Sequence, residues 1–338
     1  MTRCGAASAA VLRALAIAGA LAGVTAAMAA PDRTPAQWLQ AIEQAAQTQQ
    51  YSGVYVYTTG DTMHALRVTH ACQGGVVIER VQPLDGQLRE YLRHGDDVQS
   101  LFPDQRRVVI EQSRGGAGFP SLGSAAPDEI LNHYALELAG TERVAGVSCQ
   151  VIHLRPRDGA RYGYDLCVDP VGGLMLKVQT HDELGAVVEQ LAFTAVRIGD
   201  PIDPAALHPS WSTSGWARVQ RAARPVDFAR LGWSMTMPAG FRRQQEVLRH
   251  LGDEPASGTA PAAPRQTLQA VLSDGLATVS VFIESGLVSS MPLDVAQRHG
   301  PASAFVRRVG DATVTVIGEV PSATVAAIAN SVEFHDPH

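Results

Sequence analysis

The sequence predicts an α+β protein with two domains, and three observations carry this prediction. One amphipathic helix is predicted at 35–49, ahead of any strand. From Tyr51 to Arg197 the apolar residues recur with a period of two, which is typical of half-buried antiparallel strands. Beyond a segment rich in Pro, Ser and Arg, shorter apolar runs indicate a second, smaller unit. A length of 338 residues also favours two domains over one.

The N-terminal segment has the composition of a secretory signal peptide. Arg3 and Arg13 accompany an apolar core at 14–24, acidic residues are absent, and small residues at 27–29 suit a cleavage site. Cleavage after Ala29 defines 1–29 as the signal peptide, so we expect the mature protein to be exported. No later run reaches the roughly 18 apolar residues that span a bilayer.

The first domain is predicted at 32–198. Its opening helix places Pro35 in the first turn, and its apolar face comprises Trp38, Leu39, Ile42 and Ala46. A long antiparallel meander follows, divided by turn-forming pairs such as Asp85-Gly86 and Asp158-Gly159. A glycine-rich loop and a short helix that begins at Pro127 interrupt the meander at 113–134.

Residues 199–224 have little periodicity and are interpreted as an interdomain linker. The second domain is then predicted at 225–336, with a late helix after Pro321. Its predicted strands are the apolar runs at 266–272, 276–283, 304–309 and 312–318.

Composition and motifs exclude several function classes. The net charge of −6 argues against nucleic acid, which requires a concentrated basic face. The chain has no nucleophile elbow, phosphate loop or dinucleotide fingerprint, and the 11 histidines show no ligand spacing. The cluster at 181–183 (HDE) could be a catalytic acid pair, although a solvated charge cluster beside a turn is the ordinary explanation. We therefore predict no catalytic residue, no metal and no cofactor.

Three cysteines, Cys72, Cys149 and Cys167, remain after export. An odd number in an oxidising compartment suggests one disulfide and one further thiol. Their spacing matches no zinc motif. A structural disulfide is favoured over a reactive thiol.

The segment RDGARYGYDLCVD, 157–169, concentrates reactive side chains, yet its apolar residues alternate as in a half-buried strand. Paired with 147–155 in a hairpin, it places Cys149 and Cys167 on one face. If Cys149 faces Cys167, the Cα atoms lie near the roughly 5.5 Å that a bridge prefers. If Cys149 faces Asp169, the cysteines form a diagonal pair at about 7 to 8 Å. We favour the first register, and therefore a bridge between Cys149 and Cys167.

Several separated motifs carry a family resemblance from about Trp38 to Phe334. They are PRDGARYGYDLCVDP followed by GLMLKVQ in the first domain, and LGWSMTMPAGF, SDGLATVSVFIE and VTVIGEVPSATVAAIANSVEF in the second. In this order they resemble the RseB/MucB family of periplasmic regulators of the sigma-E envelope stress response.

The resemblance implies a fold and a function. The first domain should be a LolA-like half-barrel, an open and strongly curved antiparallel sheet with helices in its concavity, joined to a small α+β domain. The protein should be a periplasmic negative regulator of an AlgU-type response. It should bind the periplasmic part of a membrane-anchored anti-sigma factor (RseA/MucA-type), protect it from the site-1 protease, and release it when lipid or lipopolysaccharide binds. The resemblance leaves open whether the protein forms a homo-oligomer.

Residue assignments follow from this expected fold. The strand-one tyrosines share a face, which is either plain core or the lining of a lipid cavity; the lining candidates are Trp38, Tyr51, Tyr55, Tyr57, Phe119 and Leu122. The candidates for contact with the anti-sigma factor are Arg218, Arg221, Arg224, Ser273 and Asp274. Two rival functions remain, a LolA-type lipid or lipoprotein carrier without an anti-sigma partner and a secreted hydrolase.

Overall fold

The chain folds into two β-sheet domains in its computed structural model. The residues that the structure describes are 33–112, 122, 125–221, 223–251, 265–286 and 291–336. The predicted signal peptide, 1–29, lies outside them. Within these ranges no helix is both long and apolar enough to cross a membrane.

A 12-stranded sheet forms the first domain. Its strands are β1 (Tyr51–Thr59), β2 (Thr62–Gln73), β3 (Val76–Pro83), β4 (Glu90–His94), β5 (Asp97–Phe102), β6 (Arg107–Gln112), β7 (Tyr134–Val144), β8 (Val147–Pro156), β9 (Gly163–Val168), β10 (Met175–His181), β11 (Val187–Ile198) and β12 (Ala217–Gln220). Their order across the sheet is β12-β6-β5-β4-β3-β2-β1-β11-β10-β9-β8-β7. Two antiparallel meanders, β1 to β6 and β7 to β11, are thus joined where β1 pairs with β11.

The sheet is strongly curved. Strands β7 and β11 are four positions apart in the sheet order, a spacing of about 19 Å in a flat sheet. Cα atoms of the two strands nevertheless approach within 8 Å. Register shifts in β1, β7 and β10 mark bulges, which bend strands and increase their twist.

Two helices pack against one face of this sheet. Helix α1 (Pro35–Thr48) begins with a capping box in which Thr34 and Gln37 each accept the other's backbone N–H. Helix α2 (Pro127–His133) begins at the predicted proline. Their shared buried cluster with the sheet comprises Trp38, Leu39, Ile42, Ile130, Tyr134, Ile152, Leu154, Leu166, Val168 and Met175. We call the sheet surface that carries Leu154 and Leu166 the helix face.

The second domain contains a seven-stranded sheet in the order β13-β15-β16-β17-β20-β19-β18 and a two-stranded sheet of β14 and β21. Its elements are β13 (Ala223–Pro225), β14 (Trp233–Ser234), β15 (Arg242–Leu251), β16 (Arg265–Ser273), β17 (Thr278–Ser285), β18 (Gln297–His299), β19 (Ala302–Val309), β20 (Ala312–Gly318), α3 (Ser322–Asn330) and β21 (Glu333–Phe334). Helix α3 packs on β19 and β20, where Val325 and Ile328 are fully buried.

The four predicted strands of this domain and the helix after Pro321 are present. The α+β class, with a large open curved sheet and a separate smaller domain, is confirmed.

The segment 199–224 is more regular than the sequence indicated. Strand β12 pairs in parallel with β6, and β13 pairs with β15, so the segment adds an edge strand to each sheet. Ahead of β12, Glu90 accepts hydrogen bonds from Arg80 and from the backbone and hydroxyl of Ser210. We call 204–210, held on the sheet in this way, the strap. Edge strands of three or four residues carry too few side chains for a period to be recognised.

The bridge between Cys149 and Cys167 is present, but the register that we favoured is wrong. Cys167 faces Val151, which would place Cys149 opposite Asp169. The Cα atoms of the two cysteines are nevertheless 5.4 Å apart. The ladder ends at the pair Gln150 and Val168, so Cys149 lies beyond the regular pairing, and strand twist brings the diagonal positions together.

Candidate functional site

A row of four side chains crosses β1 to β4 on the helix face. Tyr51, His70, Glu79 and Arg93 are directly opposite one another in the strand register. The rings of Tyr51 and His70 stack at 4.7 Å, and His70 Nδ1 lies 2.8 Å from the carbonyl oxygen of Gln49, just after α1. The row therefore ties the end of α1 to the sheet.

Glu79 is the acidic member of this row. The Tyr51 hydroxyl donates to Glu79 Oε2 at 3.5 Å. Burial raises the pKa of Glu79 to about 7, against the lowering effect of Arg93. Burial also lowers the pKa of His70. Both groups thus favour their neutral forms, as expected for titratable side chains under a helix end.

The predicted lipid-lining residues lie on the helix face, but as packed core. Tyr51 and Tyr55 both contact Phe193 edge-on and are buried. Trp38 is buried in the α1 cluster, and the partly buried Leu122 packs against the same cluster. Phe119 lies outside the described residues. The structure therefore brings four of these candidates to one face of the sheet, where they pack against their neighbours.

Tyr57 lies further along β1, where the second domain approaches. Burial, with a smaller effect of Glu189, raises the pKa of its hydroxyl to about 12. Glu189 also raises the pKa of Glu319, from the second domain, whose value of about 6 is mainly due to desolvation. The carboxyl groups of Glu189 and Glu319, which belong to different domains, thus interact electrostatically near Tyr57.

A cleft of about 300 Å³ occurs on the opposite face of the sheet, between the strap and β3 to β5. Ile78 and Leu92 form its floor, and Leu207 and His208 of the strap form a wall. Among the predicted lining residues that the structure describes, none contributes to this cleft.

A concentrated polar site lies between the two domains, at the turn 157–162. Arg161 Nη1 donates to Asp274 Oδ2 at 2.7 Å, and both side chains are 0% exposed. Arg161 also donates to the carbonyl oxygen of Ala239 at 2.5 Å and to Asp158 Oδ1 at 3.0 Å. Its guanidinium lies 5.1 Å from the ring centre of Phe241. One side chain of the first domain is thus enclosed by the second.

Asp274 is as fully partnered as Arg161. Its Oδ2 accepts a second hydrogen bond from the Tyr134 hydroxyl at 3.0 Å. Its Oδ1 accepts the backbone N–H groups of Leu276 and Ala277 at 2.9 and 2.8 Å, which shapes the turn that follows β16. Burial raises the pKa of Tyr134 well above its usual range, so this phenol remains a donor.

Two glycine turns of the second domain lie directly on the first. Gly240, at φ +84°, leaves no room for a Cβ atom beside the imidazole of His133. Gly275, at φ +101°, is equally close to Ala125. Both backbone conformations favour glycine, and both contacts require its lack of a side chain.

The cluster at 181–183 has a structural explanation. Asp182 Oδ1 accepts the N–H groups of Leu184 and Ala186, which forms the turn between β10 and β11. Its other oxygen lies 3.0 Å from Arg298 of the second domain. His181 Nε2 lies 2.9 Å from Asp165. Among the residues that the structure describes, no set of three potential metal ligands occurs.

The predicted partner-contact residues do not form one site. Arg218 and Arg224 are exposed on the edge strands β12 and β13, and Arg221 lies 3.4 Å from Glu111. Ser273 donates to the carbonyl oxygen of Ala277 within its own turn. Asp274 is buried against Arg161, so in this conformation it contacts the first domain and is withdrawn from any external partner.

Comparison with known proteins agrees with this two-domain arrangement. The family model of the MucB/RseB N-terminal domain matches residues 34–211, and that of the MucB/RseB C-terminal domain matches 227–333. The chain belongs to the MucB/RseB family. The resemblance noted in the sequence is confirmed.

Relatives within the MucB/RseB family match over nearly their whole length. The Sigma factor AlgU regulatory protein MucB of Pseudomonas aeruginosa is 28% identical over 324 residues, which cover 94% of this chain and 96% of the relative. The Sigma-E factor regulatory protein RseB of Escherichia coli K12 is 25% identical, with 88% and 89% covered. The structure of the Pseudomonas aeruginosa MucA/MucB complex has a TM-score of 0.68 at 26% identity and covers 89% of this chain and 99% of that one.

The interdomain pair is the part of the site that sequence reasoning missed. In the sequence, Arg161 is one of several polar residues in a predicted hairpin, and Asp274 is a candidate for contact with the partner. They are 113 residues apart in the chain. In this MucB/RseB member the local signal was the turn chemistry of the two segments, which does not indicate that the turns meet.

Proposed function

We propose that this chain is a periplasmic negative regulator of a sigma-E (AlgU-type) envelope stress response. It binds the periplasmic part of a membrane-anchored anti-sigma factor of the RseA/MucA type and thereby shields that segment from the site-1 protease. The observation that carries this proposal is the match of both family domains, in order, over most of the chain. A structure of MucB in complex with MucA(peri) is similar to this chain over both domains, with a TM-score of 0.66.

Release by lipid or lipopolysaccharide is the second part of the proposal. A ligand lowers the affinity for the anti-sigma segment only by as much as it prefers the unbound form of the regulator. The helix face supports this part because it offers apolar side chains under two helices, and acyl chains gain roughly 0.8 kcal/mol per buried methylene. Helix α1 would have to shift to admit a chain, since Trp38 and Tyr51 are now buried.

Export completes the proposal: residues 1–29 act as a cleavable signal peptide that directs the chain to the periplasm. The domain limits 32–198 and 225–336 are also part of it. N-terminal sequencing of exported protein tests the cleavage after Ala29. Limited proteolysis followed by mass spectrometry tests the domain limits, with fragments that end inside 199–224 as the expected result.

Partner contacts are proposed for Arg218 and Arg224, whose side chains are exposed. Arg221 and Ser273 stay as weaker candidates, because Arg221 forms an ion pair with Glu111 and Ser273 is bonded within its own turn. Arg218 donates to the uncharged Thr213 hydroxyl at 3.4 Å, which leaves its charge without an ionic partner in that contact. The matched control is Arg230 of the second domain, which is also exposed and pairs with its near neighbour Asp227 at 3.4 Å. Charge reversal at Arg218 and Arg224 should weaken binding, whereas Arg230→Glu should not.

The deciding experiment is calorimetric titration of the mature protein with the purified periplasmic segment of the anti-sigma factor. We expect binding, protection of that segment from site-1 protease, and loss of both on addition of lipopolysaccharide. Absence of binding with and without lipopolysaccharide would overturn the proposal. Extractable lipid that the protein transfers between vesicles, without any binding of the segment, would instead identify a carrier of the LolA type.

A further inference from the structure

The two domains share little apolar surface. The second domain has one buried cluster and the first has two, and Leu276 is the described residue of the second domain that packs into one of the first domain's clusters. The other contacts combine ion pairs, side-chain hydrogen bonds to carbonyl oxygens, arginine–aromatic contacts and the two glycine turns. Interdomain contacts of this polar kind resemble transient protein–protein interfaces, in which relative motion of the domains is the default.

One interdomain ion pair differs from the others by its burial. Arg161 and Asp274 are both 0% exposed. Arg242 and Glu129, which also connect the domains, are 65% and 37% exposed. Exposed pairs contribute little to stability because water and salt screen them. A buried pair adds little net stability when it is intact, but removal of one partner leaves an uncompensated buried charge.

The surroundings of the pair make it sensitive to orientation. Arg161 bonds simultaneously to Asp274 and to the carbonyl oxygen of Ala239, which lie in two different turns of the second domain. Asp274 in turn bonds to Tyr134 of the first domain. A rotation of one domain against the other would break these bonds together, because every donor lies in the first domain and every acceptor lies in the second.

We propose that Arg161 and Asp274 form a latch that holds the second domain in one orientation on the first. While the latch is closed, the two charges satisfy each other. When the domains separate, both charges return to water, which makes separation reversible. Loss of either partner releases the domains from this orientation while each domain keeps its own fold.

The latch also bears on partner binding, and this extension rests on the proposed function. An anti-sigma segment that contacts both domains would bind the latched form, in which the two surfaces are already arranged. Opening of the latch would then weaken that binding, since the orientation would have to be restored on association. Arg161 and Asp274 would act as positioning residues that do not touch the partner.

The test measures the distance between the domains in the mature two-domain protein. Spin labels are attached to Asp104→Cys and Asp311→Cys in a Cys72→Ser background, both label sites being exposed. Pulsed electron resonance should give a single narrow distance distribution for the parent. Arg161→Met should broaden it, because the ratio of latched to open molecules falls by about a hundredfold or more when the buried Asp274 charge loses its partner. Asp274→Asn should also broaden it, but by less, because Asp158 still pairs with Arg161 at 3.0 Å. Arg242→Met is the matched control and should leave it narrow.

Two variants keep the test decisive. Asp274→Asn retains the Oδ1 acceptor that shapes the turn after β16, so it decides the outcome if Arg161→Met folds poorly. Circular dichroism checks that each variant is folded. A distribution in folded Asp274→Asn or Arg161→Met that is as narrow as the parent's would overturn the latch.

Titration with the periplasmic anti-sigma segment separates the latch from the proposed function. At least a tenfold loss of affinity in both latch variants, with none in Arg242→Met, is expected. Unchanged affinity in broadened variants would overturn the coupling to binding but not the latch. If the parent itself does not bind, the proposed function fails, whereas the distance measurements still decide the latch.

Discussion

Cys149 is bridged to Cys167 although the strand register assigns Val151, and not Cys149, as the neighbour that faces Cys167. The bridge is therefore a diagonal one. It joins Cys167, within the ladder of β8 and β9, to Cys149, one residue beyond the last β8 residue of that ladder, and closes a loop with a sequence separation of 18.

Removal of this bridge should destabilise the first domain. The double variant Cys149→Ser/Cys167→Ser should lower the free energy of unfolding by about 3 kcal/mol, because a loop of this length is no longer closed in the unfolded chain. Urea unfolding followed by circular dichroism measures the change. Cys72→Ser, on β2 outside the bridge, should have a smaller effect. An unreduced protein with the mass of three thiols would contradict the bridge itself.

Glu79 should make stability depend on pH. Its pKa of about 7 in the folded protein exceeds the usual value of 4.5, so folding favours the protonated form. Stability is then greatest below the unfolded pKa and decreases as pH rises through about 7, by up to about 3 kcal/mol. Glu79→Gln should therefore raise stability at pH 8 and change it little at pH 4. Urea midpoints for this variant and for the exposed control Glu137→Gln, compared at both pH values, test the sign.

Gly240→Ala should disturb the contact between α2 and the second domain. A Cβ atom would collide with the His133 ring, in addition to the strain of a positive φ. Gly310→Ala is the matched control, because Gly310 also has a positive φ but faces open space where a Cβ atom would lie. Amide hydrogen exchange across 128–133 should accelerate in the first variant alone. Equal exchange rates in Gly240→Ala and Gly310→Ala would show that Gly240 is not in close contact with His133.

Glu90→Leu should loosen the strap. Glu90 is fully buried and accepts bonds from Arg80 and Ser210, so its loss leaves the Arg80 charge unpaired at a cost of about 3 kcal/mol. Glu111→Leu, which affects the more exposed pair with Arg221, should cost less than about 1 kcal/mol. Thermal unfolding compares the two variants. Faster proteolysis within 204–210 is expected for Glu90→Leu, and its absence would mean that other contacts hold the strap.

The sequence was most informative where structure is local. Helix α1 could be predicted because Trp38, Leu39 and Ile42 recur at helical spacing and Pro35 marks the first turn. The meander could be predicted because its strands alternate and its turns contain glycine at the required positions. Strand β15 (RRQQEVLRHL) was missed because seven of its ten residues are polar and the three apolar ones do not alternate with them, so no period of two is visible.

Long-range relationships could not be predicted in the same way. The bridge between Cys149 and Cys167 followed from parity, but its register depended on twist and on where the ladder ends. Arg161 and Asp274 meet only because two separate turns converge after both domains have folded. A sequence pattern assigns residues to faces of an element, whereas a contact between domains depends on the shapes of both.

The linker has a mechanical consequence for the whole molecule. Gln220 ends β12 and Ala223 begins β13, so only two residues lie between a strand of one sheet and a strand of the other. Two extended residues contribute roughly 7 Å of reach. The distance between the domains can therefore increase very little on this side. A wide separation requires β12 to detach from β6 or β13 to detach from β15. A pulling force on the C-terminal domain would act here on the few backbone hydrogen bonds of these short strands. They should therefore be the first part of the molecule to separate under force.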